Sequence, residues 1–211
     1  SGDENTAIGS GALLLNTTGQ NNVAIGREAL RANTTASNIT AVGFNSLLAN
    51  TTGASNVAVG TNSLLTMTTA SFNVAVGHNA LRTSNGARNV GVGNDAGRSI
   101  TDGIQNTALG DDTMYNVTTG NSNVGVGHDA LFTSTTGSNN TAVGVNALRV
   151  ATGSQNTAVG FQAMFGTTTG VSNTAVGYSA LGSAATTASY LTAVGRNALR
   201  YNTSGSSNVA L

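Results

Sequence analysis

The chain has 211 residues, of which 28 are Gly, none is Pro, Cys or Trp, and only 8% are charged. Eight Arg balance eight Asp and Glu with no Lys present, so there is no basic field to hold a nucleic-acid backbone or an anionic membrane. Missing Cys removes disulfide scaffolds, thiolate zinc sites and thiol catalysis, and no apolar run approaches the roughly 20 residues that span a bilayer, so no membrane insertion is expected.

In chain order, residues 1 to 4 read as an N-terminal leader or cloning remnant, and residues 5 to 211 as one repeat domain. A Gly that closes an Ala-Val-Gly-like triplet falls at Gly9, Gly26, Gly43, Gly60, Gly77, Gly93, Gly110, Gly127, Gly144, Gly160, Gly177 and Gly195, at spacings of 16 to 18 residues. A thirteenth motif begins at Asn208, so the chain reads as a segment of a longer fibre. Three residues before the Gly stands Thr or Val, one before it Ile, Val or Leu, and two before it Ala or Gly. Such period-two alternation predicts a short strand in every unit, with the aliphatic positions buried.

Four residues after the Gly comes Leu or Met in eleven of the twelve units, Gly97 being the exception, which predicts a second buried column. Nine to eleven after it comes another small residue, Gly in nine units and Ala36, Ala70 or Ala188 in the others, where a turn is expected. One unit cannot fold alone. Burial of three aliphatic side chains contributes roughly 1.5 to 3 kcal/mol each, against about 1 to 2 kcal/mol for every backbone ordered. Units must therefore stack, and twelve turns at about 4.8 Å each make a rod on the order of 55 to 60 Å long. The fold class is all-β, a parallel β-solenoid or β-roll of about twelve turns; stacked helix pairs are disfavoured by the Gly, β-branched and Thr-Thr content.

The strings Asn22-Val23-Ala24-Ile25-Gly26, Asn56-Val57-Ala58-Val59-Gly60 and Asn156-Thr157-Ala158-Val159-Gly160 resemble the head repeat of the YadA-like trimeric autotransporter adhesins. The longer unit, with its Ala-Leu and Thr-Thr-Gly segments, is similar to the repeats of phage tail fibres. The resemblance spans residues 5 to 211 and implies a left-handed β-roll, a side-by-side homotrimer, and attachment to a host-cell surface glycan or protein receptor from a bacterial surface or a virion. These units are longer than those of the adhesin heads, and no neck, stalk or anchor segment is present. From the residues themselves, a column of Ala or Gly has two readings. It faces outward and lets a second chain approach, or it faces inward because the walls of the roll nearly touch.

Candidate site residues follow from the register. The Asn column four before the Gly, which includes Asn22, Asn56 and Asn73, and the motif glycines Gly26, Gly43, Gly60 and Gly77 read as structural, the amides stacking turn to turn. Asp95, Asp112 and Asp129 stand two after the Gly in successive units, with Asp111 beside them, and are weak metal candidates because stacked carboxylates repel unless neutralised. Asn45, Asn62, Asn79, Asn146 and Asn197 occupy the same position, pointing to a shared Asx turn. His78 and His128 are three turns apart and cannot share a site, so no enzyme, catalytic residue or cofactor is expected; His128 beside Asp129 and Asp112 is the weak acid/base candidate.

The residue after the Gly is the most variable in the motif and reads as an exposed column. Phe161, Tyr178 and Arg196 in it are ligand candidates, able to stack on a sugar or dock a protein loop, or else to pack between chains. Five of nine aromatics lie beyond residue 160. Thr18, Thr35, Thr52 and Thr69 would form a ladder of the kind that ice-binding solenoids use, so ice binding is one alternative function and a purely structural shaft without ligand another. The sequons at Asn16, Asn33, Asn50, Asn116 and Asn202 arise from the repeat itself.

Overall fold

A computed structural model describes residues 2–167, 169–182 and 187–211. Every unit contributes one short strand: β1 Thr6–Ile8, β2 Val23–Ile25, β3 Thr40–Val42, β4 Val57–Val59, β5 Val74–Val76, β6 Val90–Val92, β7 Thr107–Leu109, β8 Val124–Val126, β9 Thr141–Val143, β10 Thr157–Val159, β11 Thr174–Val176, β12 Thr192–Val194 and β13 Val209–Ala210. They form one parallel sheet in sequence order. The register keeps motif on motif, Ala24 on Ala41 and Ala58 on Ala75. The chain is thus a β-solenoid of about twelve turns, and the described residues contain no helix. Residues 2 to 4 continue the coil: Glu4 has the same left-handed φ as Asn21 and Asn38, and Asn21 N–H donates to the Asp3 carbonyl at 3.3 Å. Ser1, the first of the four residues read as a leader, lies outside the described residues.

One expectation about the faces is reversed. The strand residue that is buried is the small one: Ala24, Ala41, Ala58 and Ala75 are fully enclosed. The aliphatic residues on either side look outward, and Ile8, Ile25, Val76, Val92, Leu109, Val176 and Val194 are exposed. The cause is a thin interior. Leu47, Leu64, Leu81 and their equivalents occupy the space opposite the strand, and a Cβ added at Gly91 would lie 2.8 Å from Leu81 Cγ. Only a methyl group or a hydrogen fits there, so the inward reading of the Ala column holds.

Backbone conformation explains the rest of the motif. Gly26, Gly43, Gly60 and Gly77 have φ of 128 to 135°, a region that only Gly adopts readily. A Cβ at Gly43 would also stand 2.6 Å from the Gly60 carbonyl oxygen. Positive φ then recurs two and four residues on, at Asn45 (57°) and Leu47 (51°), at Asn62 (58°) and Leu64 (49°). The chain exchanges hydrogen bonds with both neighbours along this segment: Asn45 N–H donates back to Arg27 at 3.1 Å, and Leu47 N–H donates forward to Ser63 at 3.0 Å. A left-handed Leu costs on the order of 1 kcal/mol, which complete burial at about 2 to 3 kcal/mol offsets. A β-branched residue fares worse in that region, which accounts for Leu or Met at this position and never Val or Ile.

At the second small position the expected turn does not require Gly for its φ, since Gly19, Gly53 and Gly120 are not left-handed. They are small for space. A Cβ at Gly53 would meet the Ala70 carbonyl oxygen. Gly97, the gap in the Leu column, is filled from both sides, because a Cβ there would stand 2.7 Å from Leu81 Cδ2 and 3.0 Å from Ile100 Cδ1.

Candidate functional site

Three kinds of strip lie along the rod. The first is the outer sheet face. Its two columns, Thr6 to Val209 and Ile8 to Leu211, hold only Val, Thr, Ile and Leu and carry no charge across thirteen strands. At two side chains wide and about 60 Å long it covers on the order of 600 Å², the upper end of what monomers expose.

Rims border this face on either side. The trailing rim is the residue after the motif Gly; the leading rim is the residue five before it, where a left-handed φ recurs at Asn38 (62°), Ser55 (57°), Phe72 (65°) and Tyr190 (61°). On the trailing rim Phe161 and Tyr178 stack with centroids 5.2 Å apart and planes 17° from parallel, and the Arg196 guanidinium lies 5.3 Å over Tyr178. Structure and expectation agree that these three residues come together and are exposed. Their faces, however, point along the rod and cover one another, leaving ring edges to the outside. A sugar stacking on the middle of this ladder would have to part it. Earlier on the same rim Arg27 lies 5.7 Å over Phe44.

A third strip, five residues after the Gly, was not singled out from sequence. Arg98 lies 5.1 Å over Tyr115 and donates to its hydroxyl, Tyr115 stacks on Phe132 at 5.3 Å, and Arg149 sits between Phe132 at 4.9 Å and Phe165 at 5.9 Å. The signal was available as Arg or an aromatic recurring at one register position from Arg82 to Phe165. These half-buried groups bind one turn to the next, each contact contributing about 0.5 to 1.5 kcal/mol.

The acidic concentration is drawn apart by this ladder. Asp95 pairs with Arg98 at 3.5 Å and Asp129 with Arg149 at 3.1 Å. Among the described residues the groups that do converge are Asp111, Asp112 and His128, whose potential ligand atoms lie within 4.8 Å of one another. His128 approaches Asp111 at 3.8 Å and Asp129 at 3.9 Å, and His78 pairs with Asn94 at 3.1 Å. Burial, then the charges of Asp111, Asp95 and Asp129, push the Asp112 carboxyl above its ordinary value. What all residues at this position share is the left-handed φ, 52° at Asp95, 53° at Asp112 and 57° at Asp129, which Asn and Asp tolerate. That requirement, rather than an Asx turn, explains the column.

The Asn column is interior and structural, and its geometry is strict. Asn106 Oδ1 accepts from Asn123 N–H at 3.0 Å, while Asn106 Nδ2 donates to the Gly120 carbonyl at 2.8 Å, and Asn22, Asn56 and Asn73 sit in the same register. Where Ile39 and Leu191 interrupt it, the carbonyl fourteen residues on is taken by an Asn three before that carbonyl: Asn50 for Gly53 at 3.1 Å and Asn202 for Gly205 at 2.8 Å. Asn50 in this role, and Asn33, which shares the Ala36 carbonyl with Asn22, are buried, so those two sequons present no accessible amide.

In the Thr-Thr pairs, the first hydroxyl donates into the next turn, Thr34 to Thr51 at 3.1 Å and Thr118 to Thr135 at 3.0 Å. The second residue is exposed at Thr18, Thr35, Thr52 and Thr69, and the series breaks at Asn85 and Asp102. No helix among the described residues is long and apolar enough to cross a membrane. No family model matches the chain, and no curated protein does either.

Proposed function

We propose that the chain is a non-enzymatic segment of a trimeric attachment fibre, a left-handed β-roll that packs side by side with two further copies through the outer sheet face. The carrying observation is that face, uncharged over thirteen strands, with Ile, Val or Leu throughout one column and Val or Thr in the other, while the interior is lined with Ala. In the column from Ile8 to Leu211 an isolated rod gains nothing by exposing Ile, Val and Leu where Thr, which the neighbouring column uses, would serve. Burying them between copies contributes about 25 cal/mol per Å². In this reading the columns facing away from the partners are free for contact with a glycan or protein receptor, and threefold repetition lets weak contacts add. A bacterial cell surface or a virion is the setting that suits such a rod.

Light scattering on the isolated chain tests the assembly. A mass three times the 20.8 kDa chain at micromolar concentration supports it; a monodisperse monomer overturns it. A glycan and host-cell binding screen tests attachment, and a stable trimer that binds nothing leaves a structural shaft.

A further inference from the structure

The two rims of the sheet face differ in chemistry, and that difference prescribes how copies meet. Rotation about an axis parallel to the rod keeps every turn at its own height and lays the trailing rim of one copy against the leading rim of the next. An antiparallel copy instead sets like rim against like rim with the turns reversed.

The leading rim carries two charges, Glu4 and Arg88, both exposed. In a parallel, level arrangement Arg88 meets Asn94 at its own turn and Asp111 one turn on. Glu4 meets Ser10 at its own turn and Arg27 one turn on. One turn is about 4.8 Å, within reach of an Arg side chain, so both leading-rim charges find an opposite partner and neither meets a carboxylate or guanidinium of its own sign. Asn94 Nδ2 already donates to Asp111 Oδ1 at 2.9 Å, holding that carboxylate on the rim. In a fully overlapped antiparallel pair Arg88 falls opposite Gln105 or Ser122. It reaches Glu4 only when the copies slide until about half of the apolar face is uncovered.

We infer that the sheet face takes a second copy of this chain running parallel and level with the first, with Arg88 of one copy against Asp111 of the next. The inference rests on the oligomeric reading above and adds polarity, register and the residues that set them.

The absence of Cys makes disulfide trapping a clean test. Ser55 and Thr61 lie on opposite rims of one turn. The three extended residues between them span about 10 Å, beyond disulfide reach within a chain. The Ser55→Cys, Thr61→Cys double variant is expected to form covalent oligomers on mild oxidation, with each single variant remaining uncrosslinked. A second arm reverses charge: Arg88→Glu is expected to raise the concentration needed for assembly several-fold, and Asp111→Arg in the same chain to restore it. A trimeric mass without the double-variant crosslink, or crosslinking by a single variant, overturns the parallel register while leaving the oligomer intact. A monomeric mass overturns both.

Discussion

Replacing Gly60 with Ala tests the argument for the motif Gly at its most exacting point. Gly60 has φ of 128°, and an added Cβ would stand 2.5 Å from the Gly77 carbonyl oxygen and 2.7 Å from its carbon. Ordinary contact begins near 3.4 Å, so the turns must part by several tenths of an ångström. The obstruction is backbone and cannot rotate away. Strain in this φ region costs about 1 to 3 kcal/mol, and parting the two turns stretches Gly77 N–H to Val59 at 2.8 Å and Asn79 N–H to Thr61 at 3.0 Å, hydrogen bonds worth about 0.5 to 1.5 kcal/mol each. The expected loss is about 3 to 5 kcal/mol. Circular dichroism during denaturant unfolding at fixed chain concentration measures it. Gly53→Ala is the control. It faces a carbonyl oxygen, that of Ala70, more closely still, but its φ is ordinary and Ala stands at the same position in three other turns, so its cost should stay at about 1 kcal/mol. Gly60→Ala within about 0.5 kcal/mol of the parent, or no more damaging than Gly53→Ala, would refute the reasoning.

Further outcomes can be checked in the same assay. Leu64→Ala empties a fully buried site and should cost about 2 to 5 kcal/mol; Leu64→Ile should cost more than a volume-conserving swap ordinarily does, because of its φ of 49°. Asn106→Leu strips the Gly120 carbonyl and Asn123 N–H of their partner, an expected loss of about 1 to 3 kcal/mol, and adding Val117→Asn should recover part of it, as Asn50 does beside Ile39. Phe132→Ala removes one stacking and one cation contact and should cost about 1 to 3 kcal/mol; no change would mean that the ladder does not hold the turns. The raised Asp112 carboxyl binds its proton more tightly folded than unfolded, so it contributes stability below its ordinary value of 3.8 that is lost as pH rises through its folded value. Asp112→Asn is therefore expected to stabilise the chain at neutral pH and to flatten stability in the mildly acidic range, read by thermal melts from pH 4 to 7.

The repeat and its parallel stacking were legible because each depends on residue identity at a fixed interval. Which way the strand faces was not. Period-two alternation says that Ala24 and Val23 point to opposite sides, and hydrophobicity alone puts Val inside. What reverses the choice is the Leu column approaching from the far wall, a distance that no single strand encodes. Absence of Val and Ile from the Leu column was visible, but its cause, a left-handed backbone at Leu30, Leu47 and Leu64, comes from the alternating inter-turn hydrogen bonds. The Phe161, Tyr178 and Arg196 cluster was legible from register. The orientation of its rings was not, since stacking turns faces along the rod and hides the surface that a sugar would use.

These constraints divide the unit into positions that set the coil and positions that are free to vary. Motif Gly, Leu, Asn and inward Ala are each fixed by the turns above and below, so a change at one is felt by both neighbours and unfolding should break the rod at that level. The rims and the Arg-aromatic strip touch mainly their own column, which is why His, Asp, Phe, Tyr and Arg follow one another there without disturbing the register. Any specificity the rod has, for a copy of itself or for a receptor, must therefore be written in those columns. The Arg88 and Asp111 exchange examines the first kind directly, because it alters only rim residues and leaves every coil-setting position in place.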